Sequence, residues 1–397
     1  MMESREIIFI WLFCLSVGLL VYSYIGYPIL IWVLARLFGS KLMPPANPAI
    51  WPKVSLLIAA YNEETEIARR IENALAIDYP REQLEIVIAS DGSSDKTCEM
   101  VHSYADRGVV LFDYQERSGK PAVLNRSVPR LTGEFVAFSD ANSFTEPDAL
   151  KNLIRWFSDG QIGAVCGRLV LIDSSTGQNI DGMYWKYETF LKMCESRLGA
   201  LLGSNGAIYA LRREWYPAIP DNTIVDDFVI PLRAKSLQQC KIVYDKEAVA
   251  HEETPAAIGA EFKRRSRIGA GGFQAIGLLW KLLHPRFGWT AFTFLNHKIL
   301  RWICPFLLIV TLLSNLALLH IPFFLWMLAA QMLFYLLAVA GAYVHSQSKM
   351  MRLLRLATMF TSMNAALLVG FFRWLLGTQR VTWHRTARLA ESAEASR

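Results

Sequence analysis

Four carboxylates stand where chemistry could use them. Asp91 directly follows the apolar run EIVIAS (Glu85–Ser90) and opens an Asp-Gly-Ser-Ser turn. A carboxylate there can accept hydrogen bonds from a base or a ribose. Asp140 follows the run EFVAFS (Glu134–Ser139) in the sequence Ser-Asp-Ala-Asn, and it offers the oxygen that hard divalent cations take. Asp226 and Asp227 adjoin in IVDDFVIPL. Two neighbouring carboxylates in apolar company are costly to bury as structure, which favours one of them ionised and usable as a base. Each acid has a plainer alternative, since Asp91 and Asp95 suit turns and helix caps. Their combination and order outweigh it. His251, in AHEETP, has no second histidine at helical or strand spacing and reads as structural. Trp156, Trp185 and Trp215 could line an acceptor groove, with core packing as the alternative.

The elements needed to hold these acids alternate along the middle of the chain. Lys53–Ala60 (KVSLLIAA) is a short apolar run suited to a buried parallel strand. Ile67, Ile71 and Leu75 then recur at four-residue spacing, a helix face. Glu85–Ser90, Val109–Phe112 and Glu134–Ser139 read as further strands, with a helix over Lys96–Tyr104 and another opening at Glu146-Pro147-Asp148. Such alternation predicts a mostly parallel, doubly wound sheet, with ligands at the carboxyl ends of its strands. The clusters Tyr61-Asn62-Glu63, Asp91-Gly92-Ser93 and Asp140-Ala141-Asn142 fall at those ends.

Composition frames this domain. Of the 397 residues, 53% are hydrophobic and only 19% charged, more apolar than a soluble chain of that length. Ile7–Phe38 and the stretches 303–320, 322–344 and 356–376 each approach or exceed the roughly 20 residues that cross a bilayer. Phe273–Leu283 and Phe292–Trp302 read as interfacial helices. The first stretch is too long for a signal peptide and lacks a small-residue cleavage site. Arg36, Lys41 and Lys53 follow it, which predicts an integral protein of the cell or inner membrane with a cytosolic central domain. Lys349, Arg352 and Arg355 also read as cytosolic, as do Arg380, His384, Arg385 and Arg388 in the tail. Three C-terminal crossings would put that tail outside, leaving a re-entrant or interfacial stretch as the alternative. The six cysteines show no paired spacing, which argues against a disulfide framework or zinc site. The net charge of +6 suits anionic membrane lipid rather than nucleic acid, because no basic block interleaves with aromatics.

Seven motifs in order carry a resemblance: AAYNEE (59–64), SDGSSDKT (90–97), SGKPAVLN (118–125), SDANS (139–143), GSNGAIYALRRE (203–214), VDD (225–227) and RRSRIGAGGFQ (264–274). The chain resembles membrane-bound family 2 glycosyltransferases of the processive type, the group of cellulose, hyaluronan and poly-N-acetylglucosamine synthases. The resemblance implies a GT-A fold, Rossmann-like, over 46–262. An N-terminal transmembrane segment (1–45) would precede it. Interfacial helices (263–302), C-terminal spans (303–376) and a tail (377–397) would follow.

It also implies roles. Tyr61, Glu63, Asp91, Lys120, Asp140, Arg264 and Arg267 would bind a UDP-sugar donor. Asp140 and Asn142 would hold Mg2+ or Mn2+. Gly203, Ser204, Asn205 and Trp383 would meet a saccharide or lipid-linked acceptor. Asp227, with Asp226 beside it, would be the catalytic base of an inverting transfer. Two departures stand out. Asn142 occupies a position that is often a second acid, and Ile268 replaces a tryptophan that would stack under the acceptor sugar. Polysaccharide synthesis is the first expectation and transfer of a single sugar to a lipid the second. A non-catalytic transporter or assembly subunit is the third, disfavoured by the intact acids and by spans nearly free of charge.

Overall fold

The computed structural model describes residues 4–172, 183–253, 258–343 and 349–381. The chain divides into two compact units. One comprises Ile31–Ala257, Ala275–Phe294 and Arg380–Arg397; the other comprises Met1–Leu30, Ile258–Gln274 and Leu295–Gln379.

The first unit is built on one sheet. Its strands are β1 (Val54–Ala60), β2 (Leu84–Asp91), β3 (Val109–Tyr114), β4 (Phe135–Asp140), β5 (Ser143–Thr145), β6 (Ile162–Ile172), β7 (Tyr209–Arg212) and β8 (Lys241–Glu253). Their order is β3-β2-β1-β4-β7-β6-β8-β5. β1 to β4 pair parallel, as do β6 and β8, while β7 and β5 run antiparallel to their neighbours. The mostly parallel Rossmann-like sheet is therefore present. Every residue of VSLLIAA in β1 is buried, as expected of a strand covered on both faces. Each fully buried Leu or Ile there contributes roughly 1.5–3 kcal/mol of transfer free energy. The strands read from sequence are β1 to β4, with ends shifted by a residue or two. The helix Ile67–Leu75 buries Ile67 and Ile71 on its apolar face, together with Arg70.

In the second unit, helix Ser4–Val21 packs along Leu300–Ala317, where the Ser16 and Thr311 hydroxyls bond at 2.8 Å. Helix Pro322–Tyr343 packs along Lys349–Leu375. There Thr358 Oγ1 donates to the Ala338 carbonyl at 2.6 Å, beside Gly341, the kind of close approach small residues permit between apolar helices. Among the described residues four helices are long and apolar enough to cross a membrane: Ser4–Leu37, Trp289–Ala317, Pro322–Tyr343 and Leu354–Leu375. Large apolar side chains such as Trp11, Leu15, Trp326 and Leu336 remain exposed on them.

Two helical stretches differ from expectation. Phe292–Trp302 is no separate interfacial helix; it continues into the 29-residue run Trp289–Ala317 through a π-helical segment, Phe294–Ile299. Lys298 and Arg301 had dulled the apolar signal there. Phe273–Leu283 begins inside the longer helix Ile258–Leu279, so it lacks a start of its own.

Candidate active site

Parallel pairing sets the carboxyl ends of β1, β2 and β4 along one edge of the sheet. Register aligns Ala60 with Ser90 and Ala59 with Asp140. Tyr61 to Glu63, Asp91 and Asp140 are therefore carried to the same rim.

The loop after β1 is locked to the turn after β2. Asn62 adopts φ 51°, a left-handed conformation that asparagine tolerates better than most residues. Its Oδ1 accepts from the Ser94 amide at 2.8 Å. The Glu63 amide donates to Thr97 Oγ1 at 2.8 Å, and the Glu63 carbonyl accepts the Ile67 amide, starting the next helix. Gly92, at φ 68°, lies so close to the Arg117 backbone that a Cβ would sit 2.7 Å from its amide nitrogen. Arg117, absent from the expected site residues, in turn places its guanidinium 3.7 Å over the Tyr61 ring, a cation–π contact.

Asp91 is fully buried. Its Oδ1 and Oδ2 accept the Ser118 and Gly119 amides at 2.7 and 2.9 Å. Burial pushes its carboxyl above the usual carboxylate range, against the pull of those two amides and of Arg117 and Arg126. The bonds fix the loop that leads into the helix Lys120–Ser127, and so aim Lys120.

Lys120 joins the acids. Its ammonium lies 2.6 Å from Asp140 Oδ1 and 3.2 Å from Asp226 Oδ2. Burial alone would lower its pKa, but the Asp140 and Asp226 carboxylates more than offset that and hold it above the ordinary lysine value. One cation thus faces two carboxylates. Asp226 and Asp227 open the helix Asp226–Gln238, whose positive dipole end favours them. The Asp227 carbonyl accepts the Ser204 hydroxyl at 2.6 Å and the Ser204 amide at 3.2 Å, tying the 203–206 segment to the start of the helix Asp226–Gln238. Gly206 closes the ring. The Asp140 amide donates to its carbonyl at 3.0 Å, and a Cβ at Gly206 would overlap Asp140 Oδ2.

Most of the expected site residues therefore converge. Tyr61, Glu63, Asp91, Lys120, Asp140, Gly203, Ser204, Asp226 and Asp227 belong to one connected set of loops. Asn205 turns to the sheet instead, where its amide donates to the Gly167 carbonyl at 2.8 Å. Asn142 donates from Nδ2 to Glu252 Oε1 at 3.0 Å. Arg264 and Arg267 lie on the helix Ile258–Leu279, mainly in the second unit, and Arg264 is paired there with Glu261 at 2.8 Å. Trp383 lies outside the described residues. His251 meets Glu146 at 2.6 Å, and Trp156 is a core residue whose indole donates to Asp245 at 2.7 Å. All six cysteines are free.

Two further buried residues support the rim. Arg70, wholly buried, donates to Ser139 Oγ at 3.0 Å and to the Asp140 carbonyl at 3.4 Å, holding the end of β4. Burial depresses its pKa to about 10. Its place on an otherwise apolar helix face (Ile67, Ile71, Ala74) was the available signal. Tyr209, stacked on Phe138 at 4.7 Å, buries a hydroxyl without a hydrogen-bond partner among the described residues. Burial, with Asp226 the chief charged neighbour, raises its pKa well above the usual phenol value.

For a divalent cation the rim offers the Asp140 carboxylate, about a third exposed, and the Asn142 amide oxygen. Among the described residues no group of three or more His, Cys, Asp or Glu side chains could cage a metal. This set fits a hard ion that takes one or two protein oxygens and completes its shell with phosphate and water.

Residues 55–216 match the family described as Glycosyl transferase family 2, so the chain carries a family 2 glycosyltransferase domain. It is 27% identical over 233 residues to the poly-beta-1,6-N-acetyl-D-glucosamine synthase of Staphylococcus aureus, covering 56% of this chain and 55% of that protein. To the beta-monoglucosyldiacylglycerol synthase of Trichormus variabilis it is 28% identical over 241 residues, covering 58% and 51% respectively. The chain thus spans about half the length of the curated relatives it matches. A solved mannosyltransferase from Pyrobaculum calidifontis, in complex with GDP-Man and Mn2+, superposes with a TM-score of 0.72 at 21% identity, covering 92% of this chain and 99% of that one. That likeness confirms the GT-A fold.

Proposed function

We propose that the chain is an inverting, membrane-embedded glycosyltransferase that builds a cell-surface or extracellular polysaccharide from a UDP-sugar. In this reading residues 46–262 are its cytosolic catalytic domain. The observation that carries the proposal is the Lys120 bridge between Asp140 and Asp226, one loop away from the carboxylate of Asp91. It gathers a nucleotide side, a phosphate side and a base side on one rim.

Asp91 and Tyr61, with Glu63, receive the base and ribose. Lys120 offsets the charge of the diphosphate. Asp227, flanked by Asp226, takes the proton of the acceptor hydroxyl as that oxygen bonds to the anomeric carbon; the anomeric bond to the β-phosphate oxygen breaks, and UDP leaves with inversion. Gly203 and Ser204, tied to the Asp227 backbone, would face the acceptor. A divalent cation, Mg2+ or Mn2+, held by Asp140 and Asn142 would neutralise charge on the diphosphate. The S. aureus relative, named as a polysaccharide synthase, and the four long apolar helices support product assembly at a membrane.

Single transfer to a lipid acceptor is the second reading. It is favoured by Ile268, which offers no aromatic platform, and by the Trichormus relative, named for a glycolipid. Membranes containing the full chain, given labelled UDP-sugars, separate the two by product length on a gel. Asp227→Asn is expected to cut transfer by roughly 10²–10⁴-fold, the share that a placed general base contributes. Transfer at the parental rate would overturn the assignment of the base.

A further inference from the structure

The second acid missing at Asn142 has a counterpart elsewhere in the sheet. β5 runs antiparallel to β8, with Ser143 opposite Glu252 and Phe144 opposite His251. Side chains alternate along a strand. His251 and Glu253 therefore share one face of β8, where they meet Glu146 at 2.6 Å and Arg69 at 3.1 Å. Glu252 points the other way, and its Oε1 accepts from Asn142 Nδ2 at 3.0 Å. The donor half of the Asn142 amide is thereby committed. Its Oδ1, the atom a hard cation would use, has no partner among the described residues. Asp140, Asn142 and Glu252 are each partly exposed.

We propose that Glu252 is a positioning residue for the divalent cation: it fixes the Asn142 amide with its oxygen free for the ion and restores the negative charge that asparagine lacks. A carboxylate that accepts from a ligating amide polarises it, so the oxygen becomes a better ligand. Outer-shell partners of this kind change metal affinity by roughly 10–100-fold. The inference rests on the cation reading proposed above.

The test is direct binding of Mn2+ to the purified full chain with UDP, followed by the electron paramagnetic resonance signal of free Mn2+. Glu252→Gln keeps an acceptor and drops the charge, and it is expected to weaken binding about 10-fold. Glu252→Ala drops both and is expected to weaken it by up to about 100-fold. Asn142→Asp in the Glu252→Gln background supplies the acid directly and is expected to recover affinity to within a few-fold of the parent. Melting of each metal-free variant shows whether the β5–β8 pairing survives. Unchanged Mn2+ affinity in both Glu252 variants overturns the role of Glu252 while leaving the cation reading intact, whatever the melting shows. No Mn2+ binding by the parent chain, or full binding by Asp140→Asn, overturns the cation reading and this inference with it.

Discussion

Two lysines of the sheet-bearing unit sit largely out of water and are treated in opposite ways. Lys120 is gripped by two carboxylates, Asp140 at 2.6 Å and Asp226 at 3.2 Å, and its charge is held on more firmly than in water. Among the described residues Lys235, in the helix Asp226–Gln238, donates to the Gly199 and Cys240 carbonyls at 2.8 and 3.2 Å and pairs with no carboxylate. Burial lowers its pKa to about 8. Backbone dipoles satisfy its hydrogen bonds but not its charge. The protein sets opposing formal charges at the rim, and makes do with carbonyls where a helix end needs tying down. A buried cation marks a functional site only when the acids around it are arranged for something else as well.

The sharpest break of that comparison is Lys120→Met. Two carboxylates would then face one space without a counter-charge, and a donor diphosphate would lose a fixed cation. Transfer is expected to fall by roughly 10²–10³-fold, the loss typical of removing one pre-set electrostatic contact. Adding Asp226→Asn relieves the repulsion. If the double variant regains its melting temperature but stays slow, the ammonium acts on the donor. If it regains rate, Lys120 is only a strut and the contrast with Lys235 collapses. A smaller change tests the same rim from the other side. Gly206→Ala would push a methyl onto Asp140 Oδ2 and move the carboxylate off Lys120. A displacement of that order costs roughly 10²-fold or less in rate. Steady-state transfer with the parental melting temperature would show that the rim tolerates it.

Much of the rim was legible before folding because its parts are local. The acids follow apolar runs, and the runs alternate with helix patterns, so Asp91, Asp140 and the strands β1 to β4 could be read in order. What joins them is not local. Lys120 reaches Asp226 across more than a hundred residues, and no periodicity announces that pairing. Asn142 looked like a simple loss of charge until β5 was seen against β8, and β8 itself, KIVYDKEAVAHEE, carries too many charged residues to read as a buried strand. Arg70 was readable in principle, being a charge on the face that Ile67, Ile71 and Ala74 define. An arginine is ordinarily exposed, which masks that signal. The continuous helix Trp289–Ala317 is likewise hard to read as one span, because Lys298 and Arg301 interrupt its apolar run.

Lys235 gives the gentlest test, and its sign is fixed by linkage. A lysine whose folded pKa is about 8, against an unfolded value near 10.4, is charged in both states below pH 8. In the folded state that charge lacks its full solvation. Between about pH 8 and 10.5 the unfolded chain binds the extra proton, so stability rises with pH through that window. The gain is at most about 3 kcal/mol, the difference of the two pKa values converted. Lys235→Met keeps the stem and removes the titration. Its melting temperature is expected to respond to pH in that window less steeply than the parent's, a divergence in slope that changes the gap between the two curves by a few degrees by pH 10. Variants at Lys120 should show no such divergence there, because the bound carboxylates keep that ammonium protonated throughout. Parallel curves for Lys235→Met and the parent would mean that the carbonyls hold its proton as well as carboxylates do, and the distinction between the two lysines would fall.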